Sequence, residues 1–253
     1  MIRLTKDAYS DALAAIDPQS CGAVYPLSAA SGIQCGDIFA AKDAFVIRHS
    51  CGFAFLAGTP DQHVLSEVYA QFLAPDAACS ERFLLFLQDE AALRYFQAQR
   101  GLTIERRLFF AYRQAKAPEA VPLPEGFSCC EITMPLLMQM QGKVTPFFSW
   151  TQPDAFLRDG RGFCIVRNEK PVSWAFSAAV SADETDIGVE TDSAFRHMGL
   201  ARAAAAEMIR DCIRQNRQPV WACHAANTAS RMLAEKLGFT QISECCTVRR
   251  SDS

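Results

Sequence analysis

The chain has 253 residues, half of them hydrophobic, with a net charge of −3 and a pI of about 5.8. This is enough apolar material for one large domain or two smaller ones, while the acidic balance excludes nucleic acid as the main partner, because no basic stripe offsets phosphate repulsion. No apolar run reaches the ~20 residues of a membrane span, and the opening MIRLTKDAYSDALAAID scatters charges where a signal peptide needs an apolar stretch.

The 11 cysteines are odd in number and include the adjacent pairs Cys129-Cys130 and Cys245-Cys246. Neither fact suits a disulfide framework. No C-x-x-C occurs and only four histidines are present, so no metal is expected. The cysteines read as small buried hydrophobes in a reducing cytoplasm.

The first part, residues 1–113, alternates strand and helix patterns and reads as an α/β domain. Ile38–Ala41, Ala44–Arg48 and Gly52–Ala57 suit short strands. Gln62–Phe72 places Val64, Leu65, Val68 and Phe72 at helical spacing. The apolar run Phe83–Leu87 suits a buried strand. Asp89 predicts the cap of a helix through Gln99, ended by Gly101, and Glu105–Arg113 predicts a closing strand. No catalytic constellation stands out: His49 and His63 are lone histidines, and Cys51 beside His49 lacks an orienting acid.

Gln114–Gly126 (QAKAPEAVPLPEG) predicts an extended linker, since three prolines forbid regular helix. The second domain is expected over 127–253. It opens with a strand at Phe127–Ile132, a short helix at Pro135–Gln141 and an aromatic loop at Thr145–Trp150. Thr151 is the expected cap of a helix through Arg158. Strands Gly162–Arg167 and Val172–Val180 flank a turn at Asn168-Glu169-Lys170, and Asp186–Thr191 completes a meander. A helix from Leu200 should bury Leu200, Ala204, Met208, Ile209, Cys212 and Ile213, leaving Arg202, Arg210, Asp211 and Arg214 outside. The strand Val220–Cys223 should run parallel to the one before the helix. A last helix, Ala229–Leu237, should bury Leu233 and Leu237 and stop at Gly238 before a strand from Phe239 to about Val248.

The junction before the long helix, IGVETDSAFRHMG (187–199) followed by LARAAAAEM, carries Arg196, Gly199 and Ala201 as R-x-x-G-x-A. Unpaired N–H groups of a first helical turn, the helix dipole and a nearby cation suit a phosphate. Downstream, NTASRMLAEKLGF places Asn227, Ser230, Leu233, Lys236, Gly238 and Phe239 in a second pattern. The two together resemble the signatures of the GNAT acetyltransferase superfamily over about the last 90 residues. The run from VETD to LAEKLGF is most similar to the zwittermicin-resistance-type subgroup. The resemblance implies a C-terminal GNAT acyltransferase fold, a central mixed, mostly antiparallel sheet flanked by helices, beside the N-terminal α/β domain, which is itself a diverged GNAT-like unit or an unrelated one.

The resemblance further implies that acetyl-CoA is a co-substrate and that the acceptor is a small amine. The backbone around Glu190, Thr191 and Asp192 would pair with the pantetheine arm. The turn Arg196, His197, Met198, Gly199, Leu200 and Ala201 would hold the pyrophosphate, and Asn227 would bond the pantetheine. Where the superfamily usually has a Tyr acid, this chain has Ala234. Ser230 is then a candidate acid, or a hydroxyl that only bonds backbone. Glu190 is a candidate base, or a side chain that only shapes its turn. His224 is a second candidate base, or a loop histidine. The competing reading is a CoA-binding sensor without turnover. The oligomeric state is open, a homodimer included.

Overall fold

The computed structural model describes residues 1–251. Its elements, in chain order, are β1 (Ile2–Arg3), α1 (Tyr9–Ala15), α2 (Val24–Ala30), β2 (Gly36–Ala41), β3 (Ala44–His49), β4 (Phe53–Gly58), α3 (Gln62–Val68), β5 (Leu84–Leu87), α4 (Glu90–Gln97) and β6 (Leu102–Tyr112). There follow β7 (Ser128–Glu131), α5 (Met134–Leu137), α6 (Pro153–Asp159), β8 (Gly162–Arg167), β9 (Lys170–Val180), β10 (Glu184–Thr191), α7 (Leu200–Arg214), β11 (Gln218–His224), α8 (Thr228–Leu237) and β12 (Phe239–Arg250). Residues 114–126 contain neither helix nor strand and are mostly exposed.

The chain forms two compact units. One holds Met1–Phe109, Cys223–Ala226 and Ser243–Ser253, and the other Phe110–Ala222 and Asn227–Ile242. In the first, the strand order is β1-β2-β3-β4-β5-β12-β6. The meander β2-β3-β4 is antiparallel, β5 runs parallel to β4, and Cys246–Val248 of β12 pair antiparallel with Leu85–Leu87 of β5. The strand FLLFL is buried at every position of β5, as a continuous apolar run should be. Asp89 caps α4 by accepting from Ala92 N at 2.7 Å. The helix predicted over 62–72 ends as α at Val68 and continues as a wider π turn, Tyr69–Leu73.

In the second unit the order is β11-β10-β9-β8-β7. The meander β8-β9-β10 is antiparallel and β11 runs parallel to β10. Asn168 and Glu169 both adopt positive φ, +49° and +62°, the paired left-handed geometry of a two-residue hairpin turn. The mixed, mostly antiparallel pattern expected of the second half is therefore present. Each unit repeats one order of elements: a three-strand meander, a helix, a strand parallel to the last, and a second helix.

Helix α7 packs on β8, β9 and β10. Ala203 to Ala206 are all buried, and these small side chains let the helix axis lie close to the sheet. Two expectations for this helix are corrected. Ile213 is 40 % exposed, whereas Asp211 is buried and accepts from Arg214 Nη2 at 2.9 Å. The apolar stripe turns away before the last turn, and the Asp211 carboxylate is tolerated because it is paired. The cap of α6 is Gln152, not Thr151, because Pro153 takes the first helical position and shifts the start by one residue. In α8 the buried positions are Ala234 and Leu237, with Leu233 half-buried. Gly238 ends the helix at φ +96°, a conformation that suits glycine.

Candidate functional site

Strand β10 pairs with β9 along its length, from Thr185↔Val180 to Thr191↔Ser173, with a register shift at Asp186/Ile187. Its ladder to β11 is much shorter, only Glu184↔Gln218 to Asp186↔Val220. Beyond the register shift, the other edge of Ile187–Thr191 has no strand partner among the described residues. That edge presents alternating N–H and C=O groups, a template for an extended amide chain.

The strand leads into a short 3-10 turn, Ser193–Phe195, which Asp192 caps by accepting from Ala194 N at 2.9 Å. Arg196, His197, Met198 and Gly199 then lie exposed. His197 and Gly199 adopt φ of +64° and +78°. Gly199 is the residue before α7, with no side-chain cap, and an added Cβ there would meet nothing within 4 Å. The first N–H groups of this 15-residue helix thus have no side-chain cap, and the exposed Arg196 lies in the turn that leads into them. Leu200 turns inward and is buried, anchoring the turn, while Ala201 is half-buried. This cradle fits a pyrophosphate.

The corresponding helix start of the first unit is built differently. There Asp61 caps α3, its carboxylate accepting from Val64 N at 3.0 Å. A carboxylate already occupies the donors and would repel a phosphate.

Glu190 reaches the loop before the 3-10 turn of residues 146–148. Its carboxylate accepts from Val144 N at 2.7 Å and from Lys143 N at 3.2 Å. Trp174, opposite Glu190 in the β9–β10 register, donates from its indole N–H to Val144 O at 2.8 Å. A Cβ on Gly142 would stand 2.2 Å from Glu190 Oε2, so glycine is what allows the carboxylate to sit against that loop. Residues Gly142 to Val144 carry no motif, and only the Gly in QGKV hinted at a close approach. Trp174 and Trp150 are buried, and Trp150 donates to Ser177 O at 2.7 Å.

On α8, the Asn227 side-chain oxygen accepts from Ser230 N at 3.1 Å, so it caps the helix and leaves its NH₂ group as a donor. Ser230 Oγ accepts from Trp221 Nε1 at 3.0 Å, which leaves its own O–H to donate elsewhere. Ala234, where the superfamily usually has Tyr, is fully buried. His224, which falls in the first unit, accepts from Ala226 N through Nδ1 at 3.1 Å. Its Nε2 lies 3.5 Å from Glu105 Oε1, so the neutral ring carries its proton on Nε2.

The sequence profile of the GNAT acetyltransferase family matches residues 24–247. The chain belongs to the GNAT acetyltransferase family. A Bacillus subtilis (strain 168) relative, the uncharacterised N-acetyltransferase YdfB, is 24 % identical over 248 residues, 95 % of each chain. Among solved structures, a GCN5-related N-acetyltransferase-like protein from Streptococcus suis 89/1591 superposes with a TM-score of 0.74 at 21 % identity, covering 97 % of this chain and all of that one. A tandem GNAT protein from the clavulanic acid biosynthesis pathway gives a TM-score of 0.60 at 9 % identity, over all of this chain and 98 % of that one. This GNAT chain thus shares its fold across both units, on either side of the Pro-rich stretch. No helix among the described residues is long and apolar enough to cross a membrane.

Proposed function

We propose that this GNAT protein moves the acetyl group of acetyl-CoA to the amine of a small-molecule acceptor in the cytoplasm. The observation that carries the reading is the open edge of Ile187–Thr191 running into the uncapped start of α7 at Gly199. The edge suits the amides of pantetheine, and the helix start suits the pyrophosphate. Asn227 donates its free NH₂ to the pantetheine arm.

The thioester is already activated, so the chain's task is to hold both partners and move protons. Glu190 takes the ammonium proton through a water, on the lone pairs that Lys143 and Val144 N–H leave open. It ranks ahead of His224, whose accepting nitrogen is already used by Ala226 N–H. Ser230 donates to the departing thiolate, its oxygen polarised by the Trp221 N–H. In this reading residues 1–113 are a diverged GNAT-like domain whose Asp61-capped helix has lost the phosphate cradle, and 127–253 are the acetyltransferase domain.

The test is free-thiol release from acetyl-CoA against a library of small amines. Amine-dependent release, abolished by Arg196→Ala with Gly199→Asp, supports transfer. Tight acetyl-CoA binding with no release above background for any amine would instead favour a sensor.

A further inference from the structure

The first unit contains a cavity of about 460 Å³ that the reading above leaves unused. Arg82, Arg107, Arg249 and Arg250 line it, against only two carboxylates, Glu81 and Glu105. Both carboxylates are already engaged. Glu81 pairs with Arg48, and Glu105 lies 3.8 Å from Arg249. The wall therefore carries an excess of guanidinium.

Arg107 is the clearest case. Among the described residues it has no carboxylate partner, and its Nε is buried without an acceptor. Its guanidinium stands 5.0 Å from the centre of the Phe53 ring and 5.6 Å from that of Phe86. Arg82 stands over the same Phe53 ring, also at 5.0 Å, and donates to Cys51 O at 2.6 Å. Burial, and then the charge of Arg107, push the Arg82 guanidinium below its ordinary pKa. Two cations thus share one aromatic ring, Phe53, as a neighbour and feel each other's charge. Like charges repel, and an anion beside them relieves the repulsion.

We propose that this cavity binds a small organic molecule through a carboxylate held by Arg82 and Arg107. A planar fork that is fixed in advance matches a carboxylate in two-point fashion. The volume falls within the roughly 300–1,000 Å³ of small-molecule sites, which calls for an organic body rather than a bare ion. His224, the second candidate base, also lines the cavity, and the site gives the first unit a binding role of its own.

The experiment is calorimetric titration of the full chain with succinate, L-glutamate and benzoate, with inorganic phosphate as the comparison anion. At least one carboxylate should bind, and Arg107→Gln should weaken it about tenfold or more, the cost of one charged hydrogen bond. Acetyl-CoA affinity should not change. The proposal is overturned if no carboxylate binds, if Arg107→Gln binds equally well, or if phosphate binds more tightly than every carboxylate. Should Arg107→Gln fail to fold, the wild-type chain answers instead. A bound carboxylate should slow phenylglyoxal modification of Arg107 in peptide mapping, and an unchanged rate counts against the site.

Discussion

Glu190 and Trp174, opposite each other on β10 and β9, grip the two polar backbone groups of one residue: the carboxylate takes Val144 N–H and the indole donates to Val144 O. The loop at 142–144 is thereby fixed against the end of the strand proposed to carry the acetyl donor.

Glu190→Gln should keep acetyl-CoA affinity and lower turnover by roughly 10²-fold, the usual range for a lost base. The loss should shrink as pH rises, because more of the amine is then already deprotonated. The same change leaves a backbone N–H facing an amide NH₂, and it should also cost about 1–3 kcal/mol of stability. Wild-type turnover at pH 7 would confine Glu190 to holding the loop.

Gly142→Ala inserts a methyl 2.2 Å from Glu190 Oε2. The carboxylate must move, and turnover should fall in step with Glu190→Gln. Combining the two should add little further loss, since they act on one contact. Fully additive losses in a double-mutant cycle would show that Gly142 acts some other way.

Arg196→Ala with Gly199→Asp removes a cation and sets a carboxylate at the head of α7. Acetyl-CoA affinity should drop tenfold or more while the circular dichroism spectrum stays unchanged. The backbone is already left-handed at Gly199, which an Asp adopts at a cost of roughly 1–2 kcal/mol. Unchanged affinity by calorimetry would remove this turn as the phosphate site.

His49 is fully buried, and desolvation pushes its imidazole from 6.5 down to about 3. Between those two values the unfolded chain binds a proton that the native one does not, so stability falls as pH drops through that window. The urea midpoint should therefore decline from pH 7 to 4 more steeply for the wild type than for His49→Gln. Parallel declines would assign the acid sensitivity to other groups.

Proteases should cut within 114–126, which is exposed and free of regular structure. The fragments should stay together on gel filtration until denaturant is added, because Cys246–Val248 pair with β5 in the first unit. Separation without denaturant would contradict that pairing.

Much of this was legible from local pattern. The α7 alanine run, the Asp89 cap and the Asn168-Glu169 turn each specify their geometry within a few residues. The Arg196–Ala201 turn was also visible, because a helix start is a short-range object. The missed features are long-range. Nothing near Glu190 announces Val144, and nothing near Leu85 announces Val248, because strand pairing has no local signature. Nothing in ERRLFFAYR singles out Arg107, because the Phe53 and Phe86 rings it stands over come from other strands. Asp211 escaped because helical periodicity does not reveal a buried carboxylate that has found its own partners.

The pairing of Val248 with Leu85 also sets a timetable for synthesis. The ribosome releases the LLFL strand well before the β12 segment that pairs with it. Until then one edge of a wholly apolar strand stays bare, a hazard for pairing with another nascent copy. A transcript truncated before Ser243 would therefore yield aggregates rather than a usable amino-terminal fragment, and a chaperone is most needed between the release of β5 and that of β12.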